Sequence, residues 1–500
     1  MKKYFFFFLL LLAAPSFAQR SVKLKIIHWN DFHAQNIPKG IKSSDGLQHD
    51  VGGFAYFKAV IDSLKQIASA HNEPYLVLDG GDNFQGTPIS GFTRGASQIT
   101  LMNIIHPDAV TIGNHDLDYG WKNLDSLFRF KALFNIVNAN ITHPNGSPFV
   151  LPYIIKQVGN LKIGIIGLIV EDLKDITLPE RIKGLNISSC KQALRKYLPE
   201  VQKAKPNLII VLSHIGIDGD RELAKKFPEV NIFVGGHSHT AITKPIKENK
   251  SIIVQAGSRG QYVGDLELSI DPDSDTIISF TEKLIETRND IITPDTTILR
   301  LIDSMEAPIN AKLGQKIGIL KRDWKLSHKK YSNLAYFESM VFREDLKCDI
   351  GIINYGGLRK PLAAGPISMR DMYEINPFGN EIVIFSVSGT ELKKALEWMF
   401  GDNGGESCEF SGLTCILDTT KKEGKRISNI LLFSRPLDLK NKYSIATNIF
   451  IATHLYSMFG LDEKMHTLQH TGITDIDLLI AGIRKRKIIT GESEEWVKSF

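Results

Sequence analysis

Cysteine is scarce in this chain, its charges nearly cancel, and long uninterrupted apolar stretches are missing beyond the first residues. Each shortage removes a class of protein. Four cysteines in 500 residues leave a fold of this size resting on its core rather than on a disulfide framework. Lys and Arg number 60 against 55 Asp and Glu, a net +5 that falls to about +3 without Lys2 and Lys3. That bias is too weak for a partner that is a nucleic acid polymer, although it tolerates a small anionic substrate. Neither repeats nor low-complexity segments occur, which excludes an adhesin-like or fibrous role. After the N-terminus no run approaches the roughly 18 apolar residues that span a bilayer. The length predicts two domains.

The N-terminus carries the marks of a secretory leader. Lys2 and Lys3 precede an apolar run from Tyr4 to Ala14, and Ser16-Phe17-Ala18 offers the small residues that a signal peptidase reads. The expectation is a leader over 1–18 and an exported, periplasmic chain beginning near Gln19, without a stable membrane anchor. Export permits disulfides. Cys408 and Cys415 are close enough to clip a loop, whereas Cys190 and Cys348 read as buried singletons.

One theme organises the first half: a short apolar strand ends and polar residues follow. Strands are predicted at Lys23–His28, Tyr75–Leu78, Asp108–Ile112, Lys162–Leu168, Leu208–Leu212 and Ile232–Val234, with a helix over Phe54–Ala70. Five of these strands deliver Asp31-Phe32-His33, Gly81-Asp82-Asn83, Gly113-Asn114-His115-Asp116, His214 and Gly235-Gly236-His237-Ser238-His239. Polar groups at the carboxyl ends of strands are where α/β folds place ligands. A strand-like stretch over 251–286 closes this region. Thr296–Leu313 then reads as a linker helix stopped at Gly314. A second α/β region follows over 316–500, with helices near Asn333–Phe342 and Thr390–Phe400 and strands at Ile350–Asn354 and Glu381–Val387.

Alone, Asp-x-His, Gly-Asp-Asn and His214 are ordinary, whereas Gly-Asn-His-Asp is more specific and Gly-Gly-His-Ser-His presents two imidazoles on one side of an extended turn, a pattern that favours metal. Asp-x-His places a carboxylate and an imidazole on one side of an extended segment, and Gly-Asp-Asn is common turn chemistry. A histidine after a buried strand is often a satisfied core residue. Together, and in this order, they supply the imidazole, carboxylate and amide donors that a divalent ion accepts. Asp118, three residues beyond His115, can orient that imidazole.

In this order the five motifs resemble the calcineurin-like metallophosphoesterases. The resemblance implies a β-sandwich flanked by helices, an overall α/β class, and two divalent ions (Zn, Mn, Co, Fe or Mg). Asp31, His33, Asp82 and His239 would hold one ion, and the shared Asp82 with Asn114, His214 and His237 the other. His115, backed by Asp118, would meet the scissile phosphate.

Three downstream segments extend the resemblance to the 5′-nucleotidase and UDP-sugar hydrolase family: Asn354-Tyr355-Gly356-Gly357-Leu358-Arg359, Asn376-Pro377-Phe378-Gly379-Asn380, and Tyr443–Asn448 leading to Phe450. It implies base stacking by Phe378 and Phe450, phosphate pairing by Arg359, and hydrogen bonds from Asn354 and Asn380. Two departures stand out. Thr453-His454-Leu455-Tyr456-Ser457 replaces the family's glycine-rich loop, with Tyr456 at the position of its sugar-binding Asp. The family's arginines before the helix near Asn333 have no match, only the nearby cations Arg322, Lys325, Lys329 and Lys330. The expected activity is hydrolysis of nucleoside 5′-monophosphates. A 2′,3′-cyclic-nucleotide phosphodiesterase, a UDP-sugar hydrolase and an inactive nucleotide-binding module are the alternatives.

Overall fold

A computed structural model describes residues 21–42, 48–327, 332–402, 408–493 and 495–499; the expected leader lies outside the described residues. In the N-terminal half two six-stranded sheets pack face to face. The first runs Thr276–Glu286, Tyr262–Asp271, Val22–Trp29, Tyr75–Asp79, Ala109–Thr111, Ile136–Val137. The second runs Ile246–Glu248, Ser251–Val254, Ile232–Val234, Leu208–His214, Leu161–Ile169, Tyr153–Val158. Each has four parallel strands, edged by antiparallel ones.

The near-continuous apolar runs have a simple cause: side chains alternate between two buried faces. Leu24, Ile26, Leu76 and Leu78 point into the sandwich, where they meet Leu208, Ile210, Leu212, Ile232 and Val234 of the other sheet. Ile27, Trp29 and Val77 point outward, beneath the helix Phe54–Ala70. That helix presents Phe54, Phe57, Val60, Ile61, Leu64 and Ala68, a three-and-four spacing that draws one apolar stripe. On the other side Ile209, Val211 and Phe233 are covered by Leu194 and Leu198 of Cys190–Lys203 and Leu223 of Gly216–Lys226.

The helix Thr296–Leu313 starts at Asp295, whose carboxylate accepts the Thr297 N–H at 2.7 Å. Ile298 and Ile302 join the core beneath Phe54–Ala70. Its other side is held to the second half, where Arg370 donates to Glu306 at 2.9 Å and also to Asn310. The helix is therefore packed on both halves rather than free-standing.

In the second half a five-stranded sheet runs Cys408–Ser411, Ile350–Asn354, Lys442–Asn448, Glu381–Ser388, Gln469–Thr474. Asn333–Asp345 and Asp475–Arg486 cover one face, Gly389–Met399 and Leu455–Phe459 the other. The two parallel strands Ile350–Asn354 and Lys442–Asn448 end at the same edge, where the antiparallel Glu381–Ser388 begins. All three substrate segments predicted from sequence therefore emerge together. Cys408 and Cys415 are buried on consecutive strands of different sheets and are not bridged; Cys190 is buried and Cys348 only partly so. The segment expected as a replacement loop at 453–457 is largely the short helix Leu455–Phe459, closed by left-handed Gly460.

Candidate metal centre and substrate cavity

The carboxyl ends of parallel strands from both sheets meet at one rim of the sandwich. Asp31, Asp82 and Asn114 come from the first sheet, His214 and His237 from the second. Five of the seven predicted ligands have left-handed backbones: Asp31 (φ 51°), His33 (48°), Asp82 (60°), His237 (77°) and His239 (55°). Such conformations cost on the order of 1 kcal/mol or more each outside glycine, and they cluster where surrounding structure enforces them. The extended geometry expected for Asp31–His33 and for His237–His239 is corrected here. Both segments are kinked, and the kinks send neighbouring side chains to separate places. Phe32 enters the core, while His33 meets His239 and His237 meets Asn114.

The donor atoms converge closely. His33 Nε2 is 3.0 Å from His239 Nε2, which lies 3.1 Å from Asp31 Oδ1. Asp82 Oδ2 lies 3.1 Å from His214 Nε2 and 3.9 Å from His33 Nε2, so it stands between the two groups. Asp31 Oδ1 is 3.9 Å from His214 Nε2, and His237 Nδ1 is 2.9 Å from Asn114 Oδ1.

Neighbouring groups orient these donors. His33 Nδ1–H donates to the Gln85 carbonyl (2.9 Å) and His214 Nδ1–H to the Gly80 carbonyl (2.7 Å). A carbonyl only accepts, so each ring commits its Nδ1–H outward and turns Nε2 inward, the nitrogen a metal would take once its proton is displaced. Asn30 donates to Asp31 Oδ2 at 2.6 Å, and Gln255 braces the His237–His239 turn through Gly236, Ser238 and Thr240. Asp116 accepts from four backbone amides, those of Asp82, Asn83, Phe84 and Gly113, tying two of the ligand loops together. Close approach dictates Gly113: a Cβ there would stand 2.0 Å from Asp82 Oδ1.

The residues fit divalent metal. Asp31 Oδ1 and His214 Nε2 are buried without a hydrogen-bond partner; the 3.1 Å approach of His214 to Asp82 lacks hydrogen-bond geometry. Burial opposes protonation of His214, yet the Asp82 and Asp31 carboxylates outweigh it and push its pKa to about 10. Asp82 shows the converse: burial raises it, but the surrounding histidines hold it well below the carboxylate range. Two buried carboxylates demand positive charge at this point, which a divalent cation among imidazoles supplies.

Beside the centre opens a cavity of about 280 Å³ between the two halves. His115, Asn114, His237 and Asp118 form its floor, and Asn354, Phe378, Asn380 and Phe450 its far wall. His115 Nδ1 pairs with Asp118 Oδ2 at 2.8 Å, and its ring is 5.8 Å from that of Phe378. Burial would lower the His115 pKa, but the Asp118 and Asp82 charges raise it above its ordinary value. Phe450 stacks on His454 at 4.4 Å, and His454 Nε2 reaches the Lys174 carbonyl of the first half at 3.1 Å. Tyr456 does not line the cavity; it is exposed and lies against Trp398. Arg359 is not among the lining residues either, though its charge acts on both His33 and His115. The first half also contributes Gln85, Tyr119, Ile176, Thr177, Leu178 and Arg181. Sequence reasoning missed these, since no periodicity marks a loop residue as facing a partner domain. Asp116 could have been found: it sits inside the Gly-Asn-His-Asp motif.

Fold and rim together define a calcineurin-like phosphoesterase, a metal-dependent class of phosphoric ester hydrolase. Residues 24–241 match the calcineurin-like phosphoesterase model, and residues 315–460 match the 5′-nucleotidase C-terminal domain. Both parts, in this order, give the chain the two-domain make-up of 5′-nucleotidases, and it is similar to them over nearly its whole length. It is 27% identical to a 5′-nucleotidase of Vibrio cholerae, over 94% of this chain and 90% of that one. It is 26% identical to the 5′-nucleotidase precursor of Thermus thermophilus, whose structure superposes with a TM-score of 0.86 over 96% of this chain and 99% of that one. A sulfate thiohydrolase of Thermus thermophilus shares the fold at 17% identity and TM-score 0.81, covering 95% and 96% of the two chains. One architecture thus carries different substrates, and specificity must be sought in side chains.

Proposed function

We propose that this chain is an exported phosphomonoesterase that uses two divalent ions to hydrolyse nucleoside 5′-monophosphates to nucleoside and phosphate. The observation that carries this reading is the single cavity joining His115 and the ligand rim to Phe378 and Phe450. Such a span suits a phosphate at one end and a base at the other.

In this reading Asp31, His33, Asp82 and His239 would hold one ion, and Asp82, Asn114, His214 and His237 the other. Bound there, the ions would supply activation of water near neutral pH and neutralisation of phosphoryl charge. His115, kept above its ordinary pKa and oriented by Asp118, donates to a phosphoryl oxygen and assists the departing alkoxide. Phe378 and Phe450 stack the base while Asn354 and Asn380 bond its polar edge or the ribose. The side of Phe450 against His454 is already occupied, which leaves its cavity side for the base. The proposed division is a leader at 1–18, a metal domain at 19–295, a linker helix at 296–315 and a substrate domain at 316–500. Export is supported by the composition of the first eighteen residues. Among the described residues no helix is long and apolar enough to cross a membrane.

A substrate panel with Mn²⁺, Co²⁺, Zn²⁺ or Mg²⁺ tests the reading: AMP, UMP, UDP-glucose, 2′,3′-cyclic AMP and p-nitrophenyl phosphate. AMP and UMP should turn over fastest. Preference for the cyclic nucleotide or UDP-glucose would replace the substrate assignment, and no turnover with any metal would remove the enzymatic one. Phe378→Ala should raise KM for AMP about fivefold to 150-fold, from a stacking contribution of about 1–3 kcal/mol. KM for p-nitrophenyl phosphate should stay within about twofold; equal effects on both would defeat the stacking role.

A further inference from the structure

A short strap of the first half runs along the cavity between two anchors. Leu173 and Ile182 are buried in one core cluster beside Phe149 and Ile169. The Lys174 carbonyl meets His454, the ring on which Phe450 stacks. The Lys183 carbonyl accepts from Trp121 Nε1 at 2.8 Å. One end is thus pinned to the aromatic wall and the other to the first half's own core. Between them Ile176, Thr177, Leu178 and Arg181 border the cavity. Arg181 sits on the short helix Pro179–Ile182, opened by a proline whose fixed φ suits a first helical position.

Among the described residues Arg181 is the only arginine or lysine that lines this cavity. It is half-buried, and among the described residues its guanidinium forms no ion pair and no hydrogen bond. The adjacent Glu180 pairs with Lys183 at 3.5 Å. Asp118, the one carboxylate of the lining among the described residues, is held by His115 at 2.8 Å. The charge of Arg181 is felt inside: burial raises the pKa of the neighbouring Tyr119 hydroxyl, and Arg181 opposes that rise.

A guanidinium donates and never accepts. A second group of the lining is fixed in the same sense. The Ile451 amide donates to Asn448 Oδ1 at 3.0 Å, so Asn448 turns its amide nitrogen to Asn354 Oδ1 at 3.2 Å. That engages the Asn354 oxygen and leaves its amino group as the donor this side chain offers the cavity. Stacking on Phe378 and Phe450 would tolerate any base, but donors of fixed polarity do not. Guanine and hypoxanthine carry the C6 carbonyl beside the acceptor N7, an edge that a guanidinium fork matches, whereas adenine puts an amino donor at C6.

We propose that Arg181 is a specificity-determining residue that reads the carbonyl edge of the base, so that 6-oxopurine 5′-monophosphates are preferred to the adenine nucleotide. The proposal rests on the nucleotidase reading for the presence of a base; the strap and its unpaired donor do not depend on it. The competing explanations are a solvated cation that meets no substrate and a donor to a second phosphoryl group.

IMP and AMP form the decisive pair, because they differ at the C6 edge. Metal-loaded native protein should show kcat/KM about fivefold or more higher for IMP, the lower end of what one bidentate base contact discriminates. A smaller ratio overturns the proposal without any variant. In Arg181→Gln, whose amide can turn either end to the base, the ratio should fall by half or more, with bound metal and KM for phenyl phosphate unchanged. A ratio that stays at the native value would leave Arg181 a solvated cation. A loss confined to ADP relative to AMP would assign it to a second phosphoryl group, and either result refutes the base contact. Arg181→Met, which keeps the apolar stem without the donors, is judged by the same ratio if the Gln variant does not fold. Should the native protein turn over neither nucleotide, the functional reading fails alone. Calorimetric titration of the metal-loaded protein with inosine and adenosine still tests Arg181, and equal affinity of the native chain for the two would refute it.

Discussion

His115 and its neighbour Asn114 occupy adjacent positions on one short turn, Asn114–Leu117, yet they face different tasks. Asn114 reaches His237 at 2.9 Å, whereas His115 turns to Asp118 at 2.8 Å and borders the cavity. Substitution should separate them. His115→Asn is expected to keep its metal, measured by elemental analysis, and to lose about 10²- to 10⁴-fold in kcat, the usual range for a positioned acid. Strong residual turnover would show that the imidazole is not the group that meets the leaving oxygen. Asp82→Ala should instead lose both metal and activity, because Asp82 Oδ2 stands between His33 and His214.

At the scale of elements, the turn Asn376–Asn380 that presents Phe378 is underpinned by buried acids. Asn376 donates to Glu338 Oε1 at 2.8 Å, and the Asp475 amide donates to the Asn380 carbonyl at 2.8 Å. Glu338 and Asp475 are both fully buried. Burial first, and then for Glu338 the charge of Asp475, raises their pKa values above the carboxyl range. A raised acid holds its proton more tightly folded than unfolded. Its contribution to stability is therefore whole below the ordinary value of 4.5 for Glu338 and is lost as pH rises through the raised range. Glu338→Gln removes that loss. The variant should unfold a few degrees above the native chain near pH 8, with the gap closing towards pH 5 in thermal melts. A pH-independent difference would refute the linkage and leave only a packing effect.

Across the whole molecule, the rim gathers Asp31, Asp82, Asp116 and Asp79 in one buried region, where burial raises Asp79 and Asp116 above the carboxylate range. Divalent cations at the rim would offset that concentration of acid. Chelation should abolish turnover and lower the thermal midpoint by a few degrees, since a ligand at 100 times its Kd contributes about 2.7 kcal/mol. Both should return on adding Mn²⁺ or Co²⁺. An unchanged midpoint after verified metal removal would mean that the fold tolerates the empty rim without cost. The cavity is also a whole-molecule property, because its walls come from both halves, which His454 joins through the Lys174 carbonyl.

The sequence by itself determined the motif-bearing strands, their succession along the chain and the donor types. Fully buried strands such as Leu208–His214 must be apolar on both faces, and that need leaves a run that can be read directly. Motifs at strand ends are likewise local: Asp31, Asp82, Asn114, His214 and His237 each follow or close a strand whose hydrophobicity marks it. Tertiary structure alone decided what those residues meet. The left-handed turns at Asp31, His33, His237 and His239 are imposed by the rim and oppose the local preference for extended chain, so spacing suggested the wrong geometry. Tyr456 could be assigned to the sugar position only by counting along the chain, whereas packing turned it outward onto Trp398. The reach of His454 to the Lys174 carbonyl carried no signal either. It exists only because the two halves pack together, since hydrogen bonds act through space and sequence records only neighbours along the chain.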